Sequence, residues 1–82
     1  MVEHDLQKQC FSTIVDGFKA FLSYSVEGSE IDVNTTQVPN AISGRGIAST
    51  LMKEVVTFAK EKNLTFKKPQ SCSYAQSWLE RH

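Results

Sequence analysis

The chain has 82 residues, 40% of them hydrophobic and 22% charged, and nine basic residues balance nine acidic ones. This composition indicates one globular domain over residues 1–82, and the zero net charge gives no electrostatic reason to expect nucleic acid or a membrane as a partner. No apolar run approaches the roughly 20 residues that span a bilayer, and no signal peptide is recognisable. Two cysteines make no disulfide framework, and no residue cluster has metal-ligand spacing. We therefore expect a cytoplasmic protein without a metal.

The first half of the chain predicts strands joined by tight turns. These strands span residues 2–6, 10–15, 19–26 and 31–38. Asp16 and Gly17 form a strong two-residue hairpin signal, and Gly28 lies in the next turn. Alternation in the third strand places Ala20, Leu22, Tyr24 and Val26 on one face. In the fourth strand the same rule groups Ile31, Val33, Thr35 and Gln37.

Two strand residues carry reactive groups but are interpreted structurally. His4 has Glu3 and Asp5 as neighbours and is interpreted as a surface histidine beside a local carboxylate. Cys10 is interpreted as a small, half-buried residue, because strand cysteines without basic neighbours are usually inert.

The second half predicts two helices around a short strand. A long amphipathic helix from about Ser43 to Lys62 carries an apolar stripe and a left-handed cap at Asn63. A strand over residues 64–67 can pair parallel to the strand over 31–38 through a right-handed crossover. A short helix over residues 71–82 completes an α+β fold with a mixed, mostly antiparallel sheet.

The start of the central helix has the properties of an anion-binding site. Its first backbone N–H groups lack internal partners, and the helix dipole adds partial positive charge there. Gly44 and Gly46 leave room for a diphosphate, and Arg45 supplies a planar cation. The Gly-x-Gly pattern alone leaves two interpretations open: a pyrophosphate cradle at residues 45–48, or a tight turn that lets the helix pack closely. The P-loop and dinucleotide fingerprints are both absent.

Residues 43–48, Ser-Gly-Arg-Gly-Ile-Ala, resemble the coenzyme A loop of the GNAT superfamily of acyl-CoA-dependent N-acetyltransferases. Gly46 and Ala48 occupy the two small positions of that loop, whereas Ser43 departs from the usual Gln or Arg. The whole chain is similar to a small single-domain branch that carries a Cys-Ser-Tyr motif, here residues 72–74. The resemblance implies a GNAT fold in which two parallel strands splay apart and the pantetheine arm lies in the gap.

The resemblance also implies where the cosubstrate acetyl-CoA binds. The diphosphate would lie on the glycine loop, the pantetheine along the end of the fourth strand, and the thioester near residues 71–74. The implied cofactor-binding residues are Thr36, Gln37, Val38, Ser43, Gly44, Arg45, Gly46, Ile47, Ala48, Ser71 and Ser73. From the residues alone, Ser71 and Ser73 are better interpreted as helix caps than as reactants.

Cys72 and Tyr74 are the candidate catalytic residues. Cys72 precedes a helix and follows Lys67 and Lys68, a setting that favours the thiolate, so it could carry an acyl group or line the thioester pocket. Its structural alternative is a small residue buried under the terminal helix. Tyr74 could protonate the departing CoA thiolate, or it could be a core aromatic. No base is evident, since Gln37 stands where many GNAT enzymes carry glutamate.

These features predict an acetyl-CoA-dependent N-acetyltransferase whose acceptor is a primary amine, such as a protein lysine or a small amine. The alternative is a non-catalytic CoA-binding or acyl-CoA-binding sensor module. Gln37 favours that alternative, as does Thr35, which stands where the small branch often has histidine. A nucleic-acid or protein-binding domain without CoA is a third, weaker option. We expect an open, shallow acceptor site and a monomer or weak dimer.

Overall fold

Five strands form one sheet whose spatial order follows the sequence. The structure is a computed structural model, and it describes residues 2–82. Its elements are β1 (Glu3–Asp5), β2 (Cys10–Val15), β3 (Phe18–Glu27), β4 (Glu30–Gln37), a 3-10 turn (Asn40–Ile42), α1 (Ile47–Glu61), β5 (Thr65–Phe66) and α2 (Ser73–Arg81). Strands β1 to β4 are antiparallel, and β5 pairs parallel to β4. The predicted α+β fold, including its parallel last strand, is confirmed.

Turn chemistry explains the antiparallel half of the sheet. Asp16 and Gly17 have φ values of 51° and 80°, as the predicted two-residue turn between β2 and β3 requires. Gly28, with φ of 59°, turns β3 into β4. Strand β4 spans Glu30–Gln37 rather than residues 31–38, because Glu30 already pairs with Glu27.

A bulge in β4 overturns part of the predicted alternation. The register with β3 shifts, so that Tyr24 pairs with Val33 but Ser23 pairs with Thr35, which leaves Asn34 as an extra residue. Beyond the bulge Thr36 pairs with Leu22. Side chains of directly paired residues share a face, so Thr36 rather than Thr35 joins the buried face of Val33. The predicted grouping of Thr35 with Val33 is therefore wrong.

Helix α1 begins at Ile47, four residues later than predicted. The delay has a backbone cause, since Gly44 and Gly46 have φ values of 79° and 73°, outside the right-handed helical region. The predicted left-handed cap at Asn63 is confirmed by its φ of 57°. The Leu64 amide donates to the Ala59 carbonyl at 2.8 Å and closes the end of the helix.

Both helices pack on the same face of the sheet. Their buried side chains share one core with the inward residues of β2, β3 and β4: Phe11, Ala20, Leu22, Tyr24, Ile31, Val33, Ile42, Ile47, Leu51, Met52, Val55, Ala59, Ala75 and Trp78. The opposite face carries Ile14, which is 68% exposed, and the exposed Lys19. Neither α1 nor α2 is long and apolar enough to cross a membrane.

His4 belongs to an aromatic cluster, which the sequence interpretation missed. Its ring stacks on Phe11 at 3.9 Å and meets Phe58 of α1 edge-on at 4.7 Å. The Tyr24 hydroxyl lies 2.5 Å from His4 Nε2. Burial raises the pKa of Tyr24, so its phenol is protonated and donates to the neutral imidazole. The contact fastens the edge strand β1 to the core.

We expect this contact to make stability depend on pH. Burial lowers the pKa of His4 from its ordinary value of 6.5, although Asp5 and Glu54 act in the opposite direction. The folded state therefore favours neutral His4. The contribution of neutral His4 to the free energy of unfolding is fully present above pH 6.5 and is lost as the pH falls through the lower pKa of the folded state. Urea unfolding between pH 7.5 and 5 should show a steeper loss for the wild type than for His4→Phe. Equal pH dependences would contradict this.

Candidate functional site

The first turn of α1 presents uncapped backbone amides. Gly46 is the N-cap residue, no side chain makes a capping hydrogen bond, and the first turn contains no acidic residue. The first helical hydrogen bond runs from the Thr50 amide to the Gly46 carbonyl at 3.0 Å. The amides of Ile47, Ala48 and Ser49 therefore precede the helical hydrogen-bond pattern, and the dipole adds positive potential at this point.

The two glycines are required by backbone conformation and not by close packing. A Cβ atom built on Gly44 or Gly46 would meet no other atom within 4 Å. Their positive φ values confirm the tight turn of one interpretation, but its second half, that small residues let the helix pack closely, is wrong. The space beside the loop is open, as a bulky ligand approaching the amides would need.

Arg45 is held by a residue that the sequence analysis did not connect with it. Its guanidinium Nη1 donates to Asp16 Oδ2 at 2.6 Å, which ties the glycine loop to the turn between β2 and β3. Both side chains are at least half exposed. The cation predicted for the cradle is thus already paired with a carboxylate, and no local sequence signal could have shown this, because 29 residues separate the partners.

Hydroxyl groups near the loop are engaged internally. Ser49 Oγ accepts from the Trp78 indole at 2.9 Å, and Thr50 Oγ1 donates to the Gly46 carbonyl at 3.0 Å. Ser43 Oγ donates to the Asn40 carbonyl and closes the 3-10 turn, so Ser43 lies before the helix and not within it. What remains for an anion is the backbone of residues 46–49 and Arg45.

The end of β4 is separated from the glycine loop only by the 3-10 turn, and it pairs with β3 along one edge. Strand β5 pairs with the other edge of β4 only at Glu30 and Ile31, and within residues 2–82 no strand pairs with that edge farther along. Thr36 and Val38 are half-buried and Gln37 is exposed. Backbone groups along such an edge are accessible to an extended ligand.

Cys72 lies against this edge. Its amide donates to the Val33 carbonyl at 2.9 Å, and its Sγ lies 3.7 Å from Thr36 Oγ1. The thiol is half-buried and stands at the N-cap of α2, as expected for a residue preceding that helix. The fold thus brings together two predicted site residues that are 36 positions apart.

Tyr74 is half-buried on the first turn of α2. Burial raises the pKa of its hydroxyl, an effect that Arg81 opposes and Cys72 reinforces. The phenol is therefore protonated at neutral pH and can donate a proton to a stronger base. The Tyr74 hydroxyl makes no hydrogen bond within the described part of the chain.

The predicted capping role of Ser71 and Ser73 is wrong. The Ser71 amide donates to Asp32 Oδ1 at 2.7 Å and its hydroxyl donates to Asp32 Oδ2 at 2.5 Å. Ser73 is the first residue of α2, and no side chain caps that helix. Asp32 is 8% exposed, and this buried carboxylate anchors the loop before α2 to β4, a role the sequence analysis missed.

Two concavities lie away from these residues. One of about 680 Å³ is lined by β1, β2 and the turn between them, including Glu3 and Cys10, and by Lys19 of β3. Another of about 410 Å³ lies between β5 and α2, and Lys67 and Lys68 are among the residues that line it. Neither is lined by a predicted site residue. The candidate site consists of the glycine loop and the end of β4. Among residues 2–82 no group of three or more potential ligands could hold a metal ion.

The chain is similar to known proteins over nearly its whole length. The GCN5-related N-acetyl-transferase family matches the chain over residues 10–82. Protein NATD1 of Mus musculus is 38% identical over 84 residues, covering 99% of this chain and 74% of that protein. Protein NATD1 of Homo sapiens is 36% identical over the same length, covering 99% and 73%. From the family match and these relatives, the chain belongs to the GCN5-related N-acetyltransferase family.

Proposed function

We propose that the protein is an acetyl-CoA-dependent N-acetyltransferase that acts on a primary amine. The observation that carries this proposal is the uncapped start of α1, which stands behind two glycines with open space beside them. A CoA diphosphate would accept hydrogen bonds from the amides of residues 46–49, and Arg45 would add its charge on leaving Asp16. Family membership supports the use of acetyl-CoA.

The free edge of β4 supports the placement of the pantetheine arm. Thr36, Gln37 and Val38 connect the bulge to the loop that leads into the cradle, so a ligand anchored by its phosphates at Gly46 can run back along this edge. Amide groups of pantetheine would pair with the strand backbone as an added strand does. The thioester would then approach Cys72 and Ser73.

The proposed chemistry is direct transfer to an amine. The amine nitrogen forms a bond to the acetyl carbonyl carbon, the carbon–sulfur bond breaks, and the electron pair stays on sulfur. Tyr74 donates its phenolic proton to this thiolate, and the proton lost by the amine passes to water. Cys72 either lines the thioester pocket or accepts the acetyl group first. In the second case the Cys72 thiolate attacks the carbonyl carbon and CoA leaves as the thiolate; the amine then attacks the carbonyl carbon of acetylated Cys72, and the Cys72 thiolate leaves.

Turnover of acetyl-CoA with a panel of primary amines tests the proposal. Tyr74→Phe should lower kcat about a hundredfold and leave the Kd of acetyl-CoA unchanged, because the lost group acts only as the bond breaks. Cys72→Ala shows whether the thiol carries acetyl, and Cys10→Ala is its control because Cys10 is also a free, half-buried thiol. If acetyl-CoA were consumed no faster with the protein than in buffer alone, for every amine of the panel, the proposed acetyltransferase activity would be refuted.

The alternative is an acyl-CoA-binding module without efficient catalysis. It is favoured by the residues at the end of β4, where Thr35 and Gln37 offer no titratable base. This protein would bind acetyl-CoA without consuming it. Trp78, the one tryptophan of the chain, can report the binding because its indole contacts Ser49 in the first turn of α1.

Removing the partner of Arg45 should strengthen binding. In Asp16→Asn the guanidinium no longer has to leave a carboxylate, and because exposed ion pairs contribute modestly we expect about a two- to fivefold lower Kd for acetyl-CoA. The gain should shrink as salt is added. Glu27→Gln, which removes one negative charge from the end of β3, should leave Kd unchanged. Weaker binding by Asp16→Asn would mean that Asp16 orients Arg45 for the ligand.

A further inference from the structure

The side chain of Gln70 occupies a place between β4 and the end of β5. Gln70 is 6% exposed, and its carboxamide bonds only to backbone. Oε1 accepts from the Val33 amide at 2.6 Å, while Nε2 donates to the Lys67 carbonyl at 2.6 Å and to the Ile31 carbonyl at 3.2 Å. The carboxamide is therefore bonded to both chain segments: Oε1 to β4, and Nε2 both to β4 and to Lys67 just after β5.

This carboxamide interrupts the parallel pairing. The Lys67 amide still donates to the Ile31 carbonyl at 3.0 Å. In a regular parallel ladder the next hydrogen bond would run from the Val33 amide to the Lys67 carbonyl. Gln70 stands between these two groups and bonds to both, so one side-chain amide replaces one direct backbone hydrogen bond. Two strands bridged in this way lie farther apart than two strands bonded directly.

The residues that follow Gln70 are also bonded to β4. Ser71 is fastened to Asp32 and the Cys72 amide to the Val33 carbonyl, so the segment leading to α2 runs along β4 beyond the interruption. The Gln70 backbone amide donates to Gln76 Oε1 of α2 at 3.0 Å. One buried residue thus connects β4, β5 and α2 at the point where the strands part.

We propose that Gln70 is the positioning residue that holds β4 and β5 apart and sets Cys72 against Val33 and Thr36. The proposal rests on the proposed acyl-CoA function, since the gap beside β4 is where pantetheine would lie. Without the carboxamide, the Val33 amide and the Lys67 carbonyl either pair directly, which narrows the gap, or remain unpaired, which loosens the Cys72 segment.

Three variants test this role through acetyl-CoA affinity. Gln70→Leu, of similar size but without polar atoms, should raise Kd by about tenfold or more, the effect of losing one well-bonded anchor. At pH 8 Gln70→Glu should bind acetyl-CoA as weakly as Gln70→Leu, because its carboxylate faces two carbonyl oxygens. Its affinity for acetyl-CoA should recover as the pH falls, because the buried carboxyl then takes up a proton and can donate a hydrogen bond again. Val55→Ala, which opens the core away from the loop, should keep the wild-type Kd.

Hydrogen exchange tests the positioning role of Gln70 without a ligand. In Gln70→Leu the amides of Val33 and Cys72 should exchange at least about tenfold faster relative to Leu22 of β3, whereas Val55→Ala should leave these ratios unchanged. If Gln70→Leu were folded and had the wild-type Kd and the wild-type exchange rates, the proposal that Gln70 holds β4 and β5 apart would be overturned. If the wild type binds no acetyl-CoA, the proposed function falls, but the exchange of Val33 and Cys72 still decides the role of Gln70.

Discussion

Gly46→Glu should abolish measurable acetyl-CoA binding, with a loss of affinity of about a hundredfold or more. A carboxylate at the N-cap of α1 would stand beside the amides proposed to hold the diphosphate, and like charges a few ångströms apart near a protein surface repel by about 3–4 kcal/mol. The space around Gly46 is open, so the new side chain meets no internal clash. Isothermal titration calorimetry of wild type and variant measures the difference.

The control for Gly46→Glu is Gly28→Glu. Gly28 also has positive φ and open surroundings, so the same backbone strain and the same charge are introduced at the opposite end of β4. We expect Gly28→Glu to lose stability but to keep its Kd for acetyl-CoA. Equal loss of affinity in both variants would mean that strain or net charge causes the effect, and it would remove the support for the cradle.

Trp78→Ala should cause the largest loss of stability, about 3–5 kcal/mol. Trp78 is 5% exposed, packs in the core, and donates its indole N–H to Ser49, so the substitution opens a cavity and leaves Ser49 without its partner. A domain of this size has a total unfolding free energy of about 4–12 kcal/mol, so the variant should be largely unfolded near 37 °C. Urea denaturation followed by circular dichroism measures the change.

Trp78→Phe separates packing from hydrogen bonding in this contact. The smaller aromatic ring keeps most of the buried area but cannot donate to Ser49, so we expect it to lose much less stability than Trp78→Ala. It should also bind acetyl-CoA less tightly, since Ser49 belongs to the first turn of α1. If Trp78→Ala were as stable as the wild type, the shared core of α1 and α2 would be in doubt.

Local chemistry made most of the fold predictable. Asp16-Gly17 and Asn63 impose backbone conformations that few other residues adopt, so they locate a hairpin and the end of α1 from sequence alone. The alternation of β3 matches its burial for the same local reason. Gly44 and Gly46 point to the candidate site, although the positive φ they permit also delays the start of α1.

Long-range contacts decided what could not be predicted. The bulge at Asn34 depends on how β4 fits β3, which a rule of strict alternation cannot represent. Gln70 follows Pro69 and looks like a strand breaker, and only its hydrogen bonds to Val33 and Ile31, 37 and 39 positions earlier, show its role. The Asp16–Arg45 pair and the His4–Tyr24 contact likewise join residues that are distant in sequence.

The proposed function depends on the backbone amides that open α1, which are proposed to hold the diphosphate of CoA. The direct measurement is a titration of the ¹⁵N-labelled protein with CoA and, separately, with pantetheine, which lacks the phosphates. We expect CoA to shift the amide resonances of Gly46, Ile47, Ala48 and Ser49 strongly, and pantetheine to leave them in place. Saturable CoA binding that leaves these four amides unshifted, or no binding at all, would contradict the account.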